Sequence, residues 1–137
     1  MHLLSETALW KTESEFVSTD GTISPSAGET SICIEGDTIY NKSWVAMDGA
    51  KRENNYTIFV VSPCQYNFES LNPELGTQKG TFHLDRNTIF SKFIIEATKL
   101  NGFEIISRNG NTCLTRGALY DGDKLINTWK ATMKKSG

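Results

Sequence analysis

The feature that most constrains this chain is its punctuation. Asp20-Gly21, Gly36-Asp37, Asp48-Gly49, Asn109-Gly110 and Asp121-Gly122 recur along the 137 residues. Gly, Asn and Asp accept the positive φ that tight turns demand. Pro63, Pro73 and "LDRN" at 84–87 add further breaks. The runs between them are short and rich in Ile, Val, Thr, Tyr, Phe and Trp. Such runs joined by tight turns specify an antiparallel all-β meander. The spacing predicts strands over 8–17, 29–35, 38–47, 55–62, 65–71, 77–84, 88–98, 103–108, 112–119 and 124–134. No internal repeat and no linker interrupts them, so residues 1–137 read as one domain.

A meander this long curls, and its free edges invite aggregation, so it closes into a barrel or splits into a sandwich. The expected fold is a single antiparallel meander β-barrel of about eight to ten strands, with a short N-terminal helical turn. That turn lies in "LLSETALW", with Ser5 as cap and Glu6 in the first turn, and would plug one end. On strand one, Trp10, Thr12, Ser14 and Phe16 alternate with Lys11, Glu13, Glu15 and Val17, so Trp10 points inward. "NTIFSKFIIEATKLNG" fits two periods. Phe90, Phe93, Ile94, Ala97 and Leu100 share a helical face, whereas Ile89, Ser91, Phe93, Ile95 and Ala97 share a strand face. The β-branched Ile94-Ile95 pair favours the strand. A three-residue turn at 100–102, with Gly102 in αL, puts Ile89, Phe93, Ile95 and Ala97 inside. A two-residue turn would instead bring in Lys92 and Glu96.

The candidate site comes from "TCLTRGALYDGDKLINTWKATMKK". With Asp121-Gly122 and Asn109-Gly110 as two-residue turns, one face collects Phe103, Ile105, Leu114, Ala118, Leu125 and Trp129, together with Arg116 and Asn127. The other collects Glu104, Arg108, Thr115, Lys124, Thr128 and Lys130. The apolar face is expected inside. Arg116 beside Asn127 then needs a partner, because an unpaired buried charge is costly. The functional reading is a small amphipathic, anionic ligand. Arg116 and Asn127 would hold its polar end. Trp10, Phe103, Leu114 and Trp129 would cover the rest, and Tyr120 would join the wall. The structural alternative is an internal ion pair, or an arginine snorkelling at the mouth among core aromatics.

Other classes of function lack support. The net charge is −2, and no focused basic patch offers a nucleic-acid surface. No apolar run approaches the roughly 20 residues of a membrane helix. The start has no basic n-region of a signal peptide. Three cysteines without C-x-x-C spacing fit a reducing, cytoplasmic compartment. His2 and His83 stand far apart and no ligand spacing is present, so neither metal nor cofactor is expected. Cys113 shares a face with Thr115 and Lys130, is expected to be partly exposed, and has no His beside it to make it a nucleophile. No catalytic motif occurs.

Short antiparallel strands, an opening helical turn, Trp10 on strand one and an internal arginine near the end resemble the calycin group, the lipocalins and fatty-acid-binding proteins. The resemblance implies a barrel whose interior holds a small molecule, with Arg116 as the counterpart of the arginine that binds a carboxylate. Ala8 stands where lipocalins have Gly, and "RGALY" replaces the R-x-Y of the fatty-acid carriers. Some barrels resembling fatty-acid-binding proteins load tetrapyrroles onto partners, so a bilin-lyase-like chaperone or enzyme is one alternative. A protein–protein interaction module with a filled core is the other.

Overall fold

The computed structural model describes residues 1–136. After a 3-10 turn, Leu3–Ser5, come β1 (Ala8–Ser18), β2 (Ile23–Glu35), β3 (Thr38–Met47), β4 (Ala50–Ser62) and β5 (Gln65–Asn72). They are followed by β6 (Gly76–Asp85), β7 (Thr88–Ile95), β8 (Asn101–Asn109), β9 (Thr112–Asp121) and β10 (Lys124–Ser136). Each pairs antiparallel with its chain neighbours, and β1 pairs with β10 from Leu9↔Ser136 to Ser18↔Asn127. The result is the expected closed barrel, with ten strands. Strands β2 and β4 begin earlier than their apolar patterns do, because "ISPSAG" and "AKREN" are held by ladders to β1 and β3 rather than by a buried face.

The ambiguous segment is a strand. Ile89 and Ile95 are buried and Phe93 half-buried, on the inner face the strand reading gave. The turn differs from expectation. Residues 96–99 form it, Lys99 takes φ 62, and the Ile95 amide donates to the Leu100 carbonyl at 2.8 Å. Gly102 therefore lies within β8, and Ala97 is exposed in the loop.

The interior has two halves. At the end holding both termini, Leu3 and Leu4 plug the barrel and pack on Trp10, Ile32, Ile58 and Met133. Here the cap is His2 rather than Ser5. His2 Nδ1 accepts the Leu4 amide, and Ser5 Oγ accepts the His2 amide. Arg108 staples the plug. Its Nη2 donates to Glu6 at 2.6 Å, Nη1 to the His2 carbonyl at 3.2 Å and Nε to the Gly110 carbonyl at 2.8 Å. Its guanidinium carbon lies 5.0 Å from the Trp10 ring centroid. A buried arginine near the end of the chain exists, but it is Arg108.

The expected inner placement of Arg116 is corrected by the β7–β8 turn, which pairs Phe93 with Gly102 and so puts Glu104 and Arg108 rather than Phe103 and Ile105 on the inner face. Gly110 (φ 63) and Gly122 (φ 58) each occupy the first position of the loops Gly110-Asn111 and Gly122-Asp123. That is the place glycine takes in a type II′ hairpin turn. The register moves by two residues, which preserves faces: Ile105 pairs with Arg116 and Phe103 with Ala118. A bulge between Leu125 and Asn127 then inverts β10, so Trp129 pairs with Gly117 and Lys130 with Arg116. Phe103, Ile105, Leu114, Arg116 and Ala118 stay together as expected, but outside. Glu104, Arg108 and Thr115 join Asn127 and Trp129 inside.

Candidate functional site

The open half of the interior, away from the plug, is polar. Its walls are kept thin by three cross-strand pairs of glycine with an aromatic: Gly80 with Phe68, Gly102 with Phe93 and Gly117 with Trp129. A Cβ on Gly117 would sit 2.3 Å from the Trp129 ring, and on Gly80 or Gly102 2.5 Å from the paired phenyl ring. The rings lie over the glycines, flat along the wall.

Trp129 is fixed further by its indole N–H, which donates to Glu104 Oε2 at 2.7 Å. Glu104 is the acid of this half, and no other protein donor reaches its carboxylate among the described residues. Burial pushes its carboxyl above the usual carboxylate range, and the Trp129 hydrogen bond only partly offsets this. Opposite, Asn54 Nδ2 donates to the Tyr56 hydroxyl at 2.8 Å, while Asn54 Oδ1 accepts from Ser70. Burial first, and the nearby Glu104 charge second, push the Tyr56 hydroxyl up. One step nearer the mouth, Asn127 Oδ1 is buried without a hydrogen-bond partner. Glu104, Tyr56, Phe93 and Trp129 are only half-buried although they face inward, so solvent reaches between them.

The candidates from the sequence are divided. Asn127 and Trp129 line this half. Trp10 faces inward but is fully buried in the closed half beneath Arg108. Arg116 is exposed on the outer wall, and so are Phe103 (40 %) and Leu114 (58 %). Tyr120 stacks on Phe103 with ring centroids 6.4 Å apart, also outside. Cys113, expected to be partly exposed, is fully buried, and burial pushes its thiol up to about 11. It cannot serve as a solvent-facing nucleophile. Glu104, Asn54, Tyr56 and Ser70 escaped the sequence reading. The small residues Cys113, Thr115 and Gly117, alternating along β9, were the available sign that this face turns inward.

Two surface hollows, each about 460 Å³, lie outside the barrel. One is at the plug beside Glu6, Arg108 and Lys135, and the other is over β5 and β6 beside Phe59 and Lys79. Among the described residues no cluster of His, Cys, Asp and Glu could hold a metal ion.

No protein-family model matches the chain, and no curated protein matches its sequence. Solved structures match its shape. Rv2717c from M. tuberculosis aligns with TM-score 0.78 at 10 % identity, covering 96 % of this chain and 92 % of that one. The S-type phycobiliprotein lyase CPES from Guillardia theta aligns at 0.71 and 7 %, covering 96 % and 89 %. The mFAP2b barrel bound to DFHBI aligns at 0.52 and 12 %, covering 95 % and 93 %. At these identities the likeness is one of fold: the chain is a ten-stranded, calycin-like barrel.

Proposed function

We propose that the protein binds a small molecule in the open half of its barrel and does not convert it. The observation that carries this reading is the buried Asn127 Oδ1, left without a partner in an interior that solvent reaches. A buried acceptor with no donor is costly, and native proteins rarely keep one without a use. Half-buried Phe93 and Trp129 supply apolar wall, and Glu104, Tyr56 and Asn54 supply oriented polar groups, the mixture typical of ligand sites. That mFAP2b takes DFHBI, and that another barrel of this shape is a phycobiliprotein lyase, supports a fold suited to small-molecule chemistry. The test joins native mass spectrometry of the purified protein to ¹H–¹⁵N spectra recorded with 2-naphthalenemethanol. A retained small-molecule mass, or a shift of the Trp129 indole N–H, is expected. Neither appearing overturns the reading.

A second reading is favoured by the outer wall. Phe90, Ile94, Phe103, Ile105 and Leu114 form an apolar face around Lys92 and Arg116, and neither cation makes an ion pair among the described residues. Self-pairing would oppose like charges, so the occupant that fits is an acidic surface of a different protein. Loss of such a complex on Arg116→Glu is the expected result, and indifference to that change removes the reading.

A further inference from the structure

We propose that the ligand of the open half is a protonated amine or comparably N–H-rich cation, with Glu104 as its counter-ion and Asn127 as its second acceptor. This rests on the reading of that half as a binding site and specifies the chemistry it selects. The ionisable group with unused hydrogen-bonding capacity in this half is an acceptor, Glu104. Glu104 receives one protein hydrogen bond, from Trp129, and its other oxygen receives none. Asn127 Oδ1 receives none. Donors are left over as well: the Tyr56 hydroxyl, whose oxygen is already occupied by Asn54, the Asn127 amide nitrogen, and in the closed half the buried Trp10 indole N–H.

The charges agree with the hydrogen bonds. Glu104 is flanked by Ser91 on β7, Gly117 on β9 and, one strand further, Trp129 on β10, none of them ionisable. Tyr56 on β4 is the titratable group that faces it across the interior. The remaining inward-facing cations are paired with other acids. Arg108 and Lys135 are committed to Glu6 at the plugged end, and Arg52 is exposed and lies 3.5 Å from Glu74. A carboxylate ligand would meet a carboxylate with no cation to offset it. An ammonium would meet a carboxylate fixed by a 2.7 Å indole hydrogen bond, in surroundings where charge–charge attraction is weakly screened. The pinned indole also aims the site. Trp129 lies over Gly117 and its N–H occupies one oxygen, which leaves the other for the ligand.

Binding a cation requires Glu104 to be ionised. If the empty site holds the carboxyl protonated, that proton leaves to solvent as the ligand enters. Affinity for a cation therefore falls as pH falls through the raised Glu104 value, while affinity for a neutral isostere does not.

The experiment compares three probes of one shape, 2-naphthylmethylammonium, 2-naphthalenemethanol and 2-naphthoate, by calorimetry and by the Trp129 indole N–H resonance. The ammonium is expected to bind about tenfold more tightly than the alcohol at neutral pH, with the naphthoate weakest. Glu104→Gln is expected to abolish the preference for ammonium while the alcohol still binds. Asn127→Leu, whose fold does not depend on the acid, is expected to weaken the ammonium with Glu104 intact. A naphthoate that binds as well as the ammonium overturns the proposal and leaves the binding site standing, and so does an order of affinities unchanged in Glu104→Gln. If no probe moves the Trp129 resonance, the binding reading itself falls and takes the proposal with it.

Discussion

Glu104 and Glu6 are both held by hydrogen bonds, yet they bias stability in opposite directions with pH. Burial raises the Glu104 value, so between its unfolded and folded values the native state holds the extra proton. Its contribution is greatest below the unfolded value and is lost as pH rises through the folded one. Glu104→Gln keeps an acceptor for Trp129 and removes the charge. The variant is expected to melt higher than the parent at pH 7–8, and the difference should close as pH falls towards the ordinary value of 4.5, read by thermal melts across pH. Glu6 is held below its ordinary value by hydrogen bonds from Lys135 first and Arg108 second. Its contribution is present above 4.5 and is lost as pH falls through its depressed value, so acid should loosen the plug. Gly117→Ala tests the pinned indole. The new methyl would sit 2.3 Å from Trp129, forcing ring or strand to move at a cost of about 1–3 kcal/mol in urea unfolding. The Trp129 indole N–H should lose the chemical shift of its bond to Glu104. An unchanged shift with unchanged stability would contradict the packing described.

Among the elements, the 3-10 turn depends most on a single side chain. Arg108 is 5 % exposed and spends three donors on Glu6, His2 and Gly110. Arg108→Met keeps much of the stem over Trp10 but strands Glu6 and the His2 carbonyl. A lower urea midpoint is expected, because the buried arginine's partners lose their donor. Hydrogen exchange should quicken at Leu4 and Ser5 before it does in β8 or β9. Equal exchange in variant and parent would mean that Leu3 and Leu4 hold the plug by packing alone. Strand β10 shows what pattern cannot resolve. "KLINTWKATMKK" mixes apolar and polar residues in both parities, so the bulge after Leu125 leaves no mark in its alternation. The turns before β9 and β10 were visible, and their two-residue displacement was harmless to the faces. The four-residue β7–β8 turn exchanged inside for outside in β8 and β9, by pairing Phe93 with Gly102, and the bulge returned Asn127 and Trp129 to the interior.

For the whole molecule, closure is the governing fact. Because β1 and β10 pair along ten positions, the sheet has no edge. Amides of the β1–β10 ladder are therefore expected to exchange as slowly as those of β8–β9. Fast exchange confined to β1 and β10 would mean an open sheet. Closure also fixes two chemically distinct surfaces, an interior with Glu104 and Asn127 and an outer wall with Lys92 and Arg116 among apolar side chains. Each surface has its own substitution, Glu104→Gln inside and Arg116→Glu outside, so the two proposals can be tested separately. Arg116→Glu is expected to leave ammonium binding unchanged within about twofold, since the wall of the barrel separates it from the interior.

The number of strands, their approximate bounds, the meander, closure and the inward Trp10 were all written in the sequence. Turn chemistry and local alternation decide them, and both are properties of neighbouring residues. The sequence also grouped Phe103, Ile105, Leu114 and Arg116 correctly on one face. It did not decide which side of the sheet that face would take, because an exposed apolar set and a buried one alternate alike. That choice was made by the length of the β7–β8 turn, and contacts distant in sequence hold the result. Arg108 reaches Glu6 across 102 residues, and Trp129 finds Gly117 and Glu104 only once the bulge has turned β10 over. Tertiary structure thus put Arg108 at the plug and Glu104 in the open half, where local pattern had placed Arg116.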